Sequence, residues 1–250
     1  MMTIPKKAIA ALSVAGLFTL SACGGGWVPV PDMFNPHLPD PVASTVTVDF
    51  NNGIDGWHGD VADYRAGNPP TEVAFAWKDL PAPLSGKGYY MASHNDKAND
   101  VLTYVTRQLD GFVKNTHYDV TFELRYATNA GSGCGGASRG DNIYMVAAAS
   151  YNNIETVWQP GSRTGVNLDR GNQGVSGTMG KVLGTQGVPG LACDGGTWVG
   201  TTTRTSEPIE VSADKDGRFW IMLGNDSGFE GTNAVYLQGA TVHITPHRAQ

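Results

Sequence analysis

The chain has 250 residues, with 17 basic and 23 acidic side chains and a formal net charge of −6. Apolar residues make up 40% of it, and no run of lysines or arginines occurs anywhere. Nucleic acid, whose phosphates are gripped by clustered cations, is excluded as a partner on that ground.

The first segment, MMTIPKK followed by AIAALSVAGLFTLSA and Cys23, sets two lysines ahead of fifteen uncharged, mostly apolar residues. That is the layout of a secretory signal over residues 1–22, and it falls short of the roughly 20 residues a spanning helix needs. The sequence "LSAC" at 20–23 resembles the lipobox of bacterial lipoproteins, in which small residues precede a cysteine that becomes the lipidated new N-terminus. The resemblance implies lipidation at Cys23 and a membrane-anchored place in the cell envelope. Because Gly24 and not Asp follows, it implies the outer membrane in a Gram-negative host. An ordinary cleaved signal with an incidental cysteine is the alternative. One acyl chain holds only marginally, at about 0.8 kcal/mol per buried methylene, whereas the several chains the resemblance implies would hold stably. Signal removal takes two lysines and no acid, leaving 15 basic and 23 acidic residues and a net charge of −8. Anchoring would then fall to acyl chains and not to attraction for anionic lipid.

Residues 24–43, GGGWVPVPDMFNPHLPDPVA, open on three glycines and contain five prolines. Such a stretch sustains neither a helix nor a sheet ladder and is expected to be a tether, reaching roughly 60 Å if extended. The domain is placed at 44–250. There the pattern alternates, most clearly in HYDVTFELRYA, where Tyr118, Val120, Phe122, Leu124 and Tyr126 share one face. Period two of this kind marks a half-buried strand. TVTVDF, EVAFAW, GYYMAS, VLTYVTRQL, NIYMVAAAS, PIEVSA, RFWIML and AVYLQGATVHI are the other candidates, and no stretch keeps a helical period. Asp216-Gly217 is expected to turn a hairpin. Nine or ten strands with glycine punctuation predict one antiparallel β-sandwich.

Cys134 and Cys193 remain as an even pair in an oxidising compartment, where a disulfide is the default. Closing a loop of about 60 residues would contribute roughly 4 kcal/mol in the chain-entropy model. With no CxxC and no clustered histidines, the pair does not make a zinc site.

VDFNNGIDGW at 48–57 resembles the opening strand and turn of carbohydrate-binding-module-like, galactose-binding-like jelly rolls, and AVYLQGATVHI resembles their closing strand. The resemblance implies a jelly-roll sandwich over roughly residues 44–246 and glycan as the ligand class. Gln238-Gly239 departs from the pattern, since the family often places there an Asp that helps bind a structural calcium.

In GNDSGFEG, residues 224–231, Asp226-Ser227-Gly228 imitates the core of a trypsin-like nucleophile loop. No histidine stands in a matching context, and no catalytic residue is assigned. Asp226 and Glu230 on a glycine-flanked loop would suit Ca²⁺, with turn capping by the same acids as the competing reading. GSGCGG at 131–136 matches a dinucleotide fingerprint in letters alone, because a loop and a strand follow where a helix is required.

Ligand contact is assigned to aromatics with polar neighbours: Trp57 with His58, Asp60 and Tyr64, or Trp158 with Gln159 and Arg163, with Trp198 third. Trp77 and Trp220, inside alternating strands, are expected in the core. The function expected is non-catalytic glycan binding from a lipid anchor, with no cofactor required beyond a structural Ca²⁺. A scaffold lipoprotein that binds another envelope protein is the alternative. A glycan hydrolase ranks third, because it needs two carboxyl groups set across a cleft.

Overall fold

The computed structural model describes residues 39–96, 100–136, 138–205 and 207–248. The signal segment, Cys23 and most of the proline-rich stretch lie outside them. The described residues form an all-β, antiparallel jelly-roll sandwich. One sheet runs, in order, β13 (Val199–Arg204), β6 (His117–Thr128), β16 (Gly231–Pro246), β4 (Lys87–Asn95) and β3 (Thr71–Asp79). Two further strands complete its seven: β1 (Ser44–Asp49) pairs with β16, and β14 (Ile209–Ser212) with β6. The second sheet has five strands: β12 (Gly180–Thr185), β7 (Ile143–Ser150), β15 (Phe219–Ser227), β5 (Val101–Leu109) and β2 (His58–Ala62). Two ribbons stand apart, β8 (Thr156–Gln159) with β9 (Arg163–Val166), and β10 (Gly171–Asn172) with β11 (Val175–Ser176).

The main core lies between the sheets. Phe122, Leu124 and Tyr126 of β6, Tyr89 and Met91 of β4, Ile221 and Leu223 of β15, and Val235 and Leu237 of β16 are all buried there. A second apolar cluster, built from Leu102, Tyr104, Val146, Met222, Ile154 and Val166, covers the outer face of the five-stranded sheet. The β8–β9 ribbon and its flanks thus roof that sheet. This explains the two strand signatures. β6 alternates because only one of its faces is covered, whereas β5, β7 and β15 are buried on both faces and read as near-continuous runs.

Several expectations are corrected by this architecture. The twelve strands of the two sheets exceed the nine or ten expected, because β2, β12 and β13 are short and lack an apolar run. The Asp216-Gly217 turn is no hairpin: β14 belongs to one sheet and β15 to the other, so the turn carries the chain across the sandwich. At Gln238 a bulge interrupts the β16–β6 ladder, and the Gln238 carbonyl accepts the Phe50 N–H at 3.1 Å. A Cβ on Gly239 would run into the Val48 carbonyl and the Arg125 guanidinium. The closure of β1 on β16 at this point leaves no room for a side chain at residue 239.

Cys134 and Cys193 are joined, with Cα atoms 5.8 Å apart, tying the β6–β7 connection to the β12–β13 connection. Beside this bridge, Gly140 packs so closely on the backbone of Gly131 and Gly187 that neither carries room for a side chain. The GSGCGG stretch is therefore a stapled loop.

Candidate functional site

The site is built on the roof over the five-stranded sheet. Asp63 follows β2 directly and has φ +64°, a left-handed conformation that Asp tolerates. Tyr64 is then stitched to β9: its carbonyl accepts the Thr164 N–H at 2.8 Å, and its own N–H donates to Thr164 Oγ1 at 3.1 Å. The β8–β9 turn, with Gly161 and Ser162 both at positive φ, holds Trp158 opposite Thr164 and brings Arg163 back over the sheet.

Beneath lies a buried ion triad. Arg170, 5% exposed, donates from Nη1 to Asp226 Oδ2 at 2.7 Å and from Nη2 to Asp63 Oδ2. Asp226 Oδ2 also accepts the Gln173 N–H at 2.6 Å, while Asp226 Oδ1 is buried with no hydrogen-bond partner. The Gln173 amide reaches Asp100 Oδ1 at 2.6 Å, and Asp100 Oδ2 stands 3.6 Å from Arg163 Nη2. A cleft of about 300 Å³ opens above this network, lined by Asp63, Asp100, Gln159, Arg163, Arg170 and Asn172. On the β8–β9 ribbon, Trp158, 65% exposed, makes an edge-to-face pair with Tyr64, ring centroids 6.5 Å apart.

Electrostatics separates the two ends of the triad. Burial pushes the Asp63 carboxyl above the usual carboxylate range, and the Arg170 charge only partly offsets this. Burial also works against the Arg170 charge, but Asp226 and Asp63 together outweigh it and raise the guanidinium above its ordinary value. A carboxyl with a raised folded pKa binds a proton on folding between the ordinary carboxylate range and that raised value. Its contribution to stability therefore falls as pH rises through that interval. Asp141 and Asp169 act with the opposite sign, since hydrogen bonds from Ser138 to the first and from Thr178 to the second lower their pKa values. Asp63→Asn keeps the hydrogen bond and tolerates the backbone angle. Urea midpoints measured across pH should show a shallower fall above the carboxylate range in this variant than in the wild type. Superimposed profiles would refute the assignment.

The structure brings Tyr64 and Trp158, named in the sequence as parts of two alternative sites, into ring contact, with Arg163 on the same ribbon as Trp158. It does not bring Trp57 there. Trp57 is 6% exposed and packs edge-on against Phe50 in the main core, centroids 5.2 Å apart, so its role as a ligand platform is corrected. Asp60 faces a different hollow of about 380 Å³, with His58, Asn153, Glu155 and Trp220, where the Tyr104 hydroxyl donates to it at 3.4 Å. Trp77 is not core: at 42% exposure it edges β3, donating from Nε1 to the Phe50 carbonyl at 2.7 Å. Trp220 is partly buried against the roof cluster.

Asp226 is not on a loop. It sits in β15, fully buried, while Glu230 is exposed in the turn beyond. A calcium ion does not fit this arrangement: Asp226 Oδ2 is held by the Arg170 guanidinium, and that buried positive charge repels a divalent cation at either oxygen of the carboxylate. Among the described residues no group of three or more His, Cys, Asp or Glu is gathered for a metal. Asp49 shows what such acids do here: its carboxylate accepts the Asn51 N–H at 3.0 Å and the Asn52 amide at 2.9 Å, capping the first turn.

Arg170, Gln173 and Asp100 escaped the sequence reading. Arg170 stands in NLDRGNQG, a turn-like string with one cation, and nothing local tells which distant acids will face it.

No family model matches the chain, and no curated protein matches it. Among solved structures, a cleaved adhesin domain of Lys-gingipain from Porphyromonas gingivalis is similar at 15% identity and a TM-score of 0.37, over 82% of this chain and 99% of that one. The xylan-binding domain CBM22-1 of Xyn10C from Paenibacillus barcinonensis is similar at 10% identity and a TM-score of 0.36, over 84% and 99%. The xylan-binding module CBM15 gives 10% and 0.37, over 82% and 99%. Likeness of this size bears on neither ligand nor activity.

Proposed function

We propose that this protein is a non-catalytic glycan-binding module, held at the cell envelope by acyl chains on Cys23. One observation carries the binding reading: the Trp158–Tyr64 ring pair shares the β8–β9 ribbon region with a polar cleft lined by Gln159, Arg163 and Asp100, with Asp100 joined both to Arg163 and to Gln173 of the buried network. Aromatic faces stack on the apolar faces of sugar rings, and a few fixed polar groups take the hydroxyls, which is the general make-up of a small-ligand site. The carboxylates nearest the cleft floor serve a structural end, since Asp63 and Asp226 share Arg170. The reading therefore assigns them no hydrolytic role.

The test is a pull-down of the full chain on insoluble polysaccharides and on peptidoglycan, with the lipid site intact and as Cys23→Ser. Retention on at least one matrix is expected for both forms, and partition into detergent or membrane only for the intact one. No retention on any matrix would overturn the glycan reading and favour an envelope-protein partner. Membrane partition of Cys23→Ser equal to wild type would overturn the anchor.

A further inference from the structure

A second aromatic group lies on the opposite side of the sandwich, on the outer face of the seven-stranded sheet. Val235 and Leu237 point into the core, so Tyr236 between them points out, and Tyr90 does so between Tyr89 and Met91. The two tyrosines are paired in the β16–β4 ladder, with ring centroids 4.9 Å apart. Trp198, just before β13, meets Tyr236 edge-on at 5.1 Å, and Lys78 Nζ lies 4.0 Å over the Tyr90 ring. Tyr236 thus contacts both Tyr90 and Trp198, and the three rings form one cluster across neighbouring strands.

The cluster is set on a floor of small side chains. Ala127 of β6 opposes Tyr236, Gly200 of β13 opposes Ala127, and Ala76 of β3 opposes Tyr90. The rings therefore stand above their neighbours instead of being packed over by them, and all three are only partly buried. Polar groups flank the cluster. The Gln238 amide lies over Gly200, and Arg125, exposed on β6, rests over Gly239. Lys78 and Arg125 have no carboxylate partner among the described residues, whereas Lys87 pairs with Asp79 and Arg204 with Glu123 on the same sheet. An acid near the rings, Glu72, is engaged by the Thr232 hydroxyl at 2.9 Å; after burial, its charge is the second cause that raises the Tyr90 hydroxyl pKa.

We infer that this face is a second ligand surface, independent of the cleft, and that it takes an acidic polysaccharide chain. Three neighbouring rings supply apolar faces and edges for sugars, and two cations without an ion-pair partner beside them supply charge for carboxylates carried on those sugars. On a chain whose formal net charge is −6, an anionic polymer is repelled in general, so its binding must be local to such a patch. A neutral glycan would leave both cations without a role.

Affinity electrophoresis of the full chain in native gels containing polygalacturonate tests this. Retardation is expected for the wild type, weakened by added salt, and at least tenfold weaker for Lys78→Gln/Arg125→Gln. Trp198→Ala should weaken it as well, while Trp158→Ala, on the separate β8–β9 ribbon, should leave it unchanged. The Lys78→Gln/Arg125→Gln and Trp158→Ala variants should both keep the wild-type urea midpoint, separating lost binding from lost fold. Absence of retardation, retardation insensitive to the double cation variant, or loss of it in Trp158→Ala would each overturn the proposal. The last outcome would place the acidic polymer in the cleft, so failure here is distinguishable from failure of the cleft itself.

Discussion

Arg170→Met should unfold at much lower denaturant than the wild type, by about 3–5 kcal/mol, the range for removing one partner from a buried ion pair. Methionine replaces most of the volume, so the loss is electrostatic. It leaves Asp226, with a side chain 0% exposed, and Asp63, at 13%, inside the roof without their common cation. Asp226 Oδ1 already lacks a partner in the wild type, so the carboxylate has no second donor to fall back on beyond the Gln173 N–H. With a urea m-value of about 1–3 kcal/mol per molar, the midpoint should drop by roughly 2 M. Adding Asp63→Asn and Asp226→Asn to the same chain should recover part of that, since a neutral set does not carry uncompensated charge. A midpoint for Arg170→Met within about 0.5 kcal/mol of wild type would show that the triad does not hold the roof.

Trp158→Ala should do the reverse: leave stability nearly untouched and remove binding. At 65% exposure the side chain touches little of the core, so the change in unfolding free energy should stay within about 0.5 kcal/mol. A tryptophan at the centre of a binding surface is worth about 2 kcal/mol or more, roughly a 30-fold loss of affinity on whichever matrix retains the wild type. The outcome that sinks the cleft is full retention by Trp158→Ala on that matrix. Taken with Arg170→Met, it separates the ring that meets ligand from the network that reaches Arg163 and Asp100.

The strands that carry the two sheets were legible because their chemistry is local. In β6, alternation over Tyr118 to Tyr126 follows from one covered face, and the apolar runs of β5, β7 and β15 from two. The Cys134–Cys193 pairing also followed from counting alone, once one cysteine was assigned to lipid. Short β2, β12 and β13 were not legible, since such edge strands have little apolar content to betray them.

Of the cleft, the sequence by itself singled out Trp158 with Gln159 and Arg163, and the structure places that tryptophan within the short strand β8, still 65% exposed because its ribbon stands outside the two sheets. The sequence also marked Tyr64 as an aromatic beside acids. What only the tertiary structure decided is which acids and cations meet. Asp63, Arg170 and Asp226 are 107 and 56 residues apart along the chain, and their pairing exists only because the roof folds back over β15. Trp57 and Trp158 look alike in the sequence, each an aromatic beside polar residues. The first is swallowed by the inter-sheet core and the second stands on a ribbon outside it. Periodicity records whether a residue's own strand has a covered face. Which distant group does the covering, and whether a loop ring is among the covered, depends on contacts between segments that share no local signal.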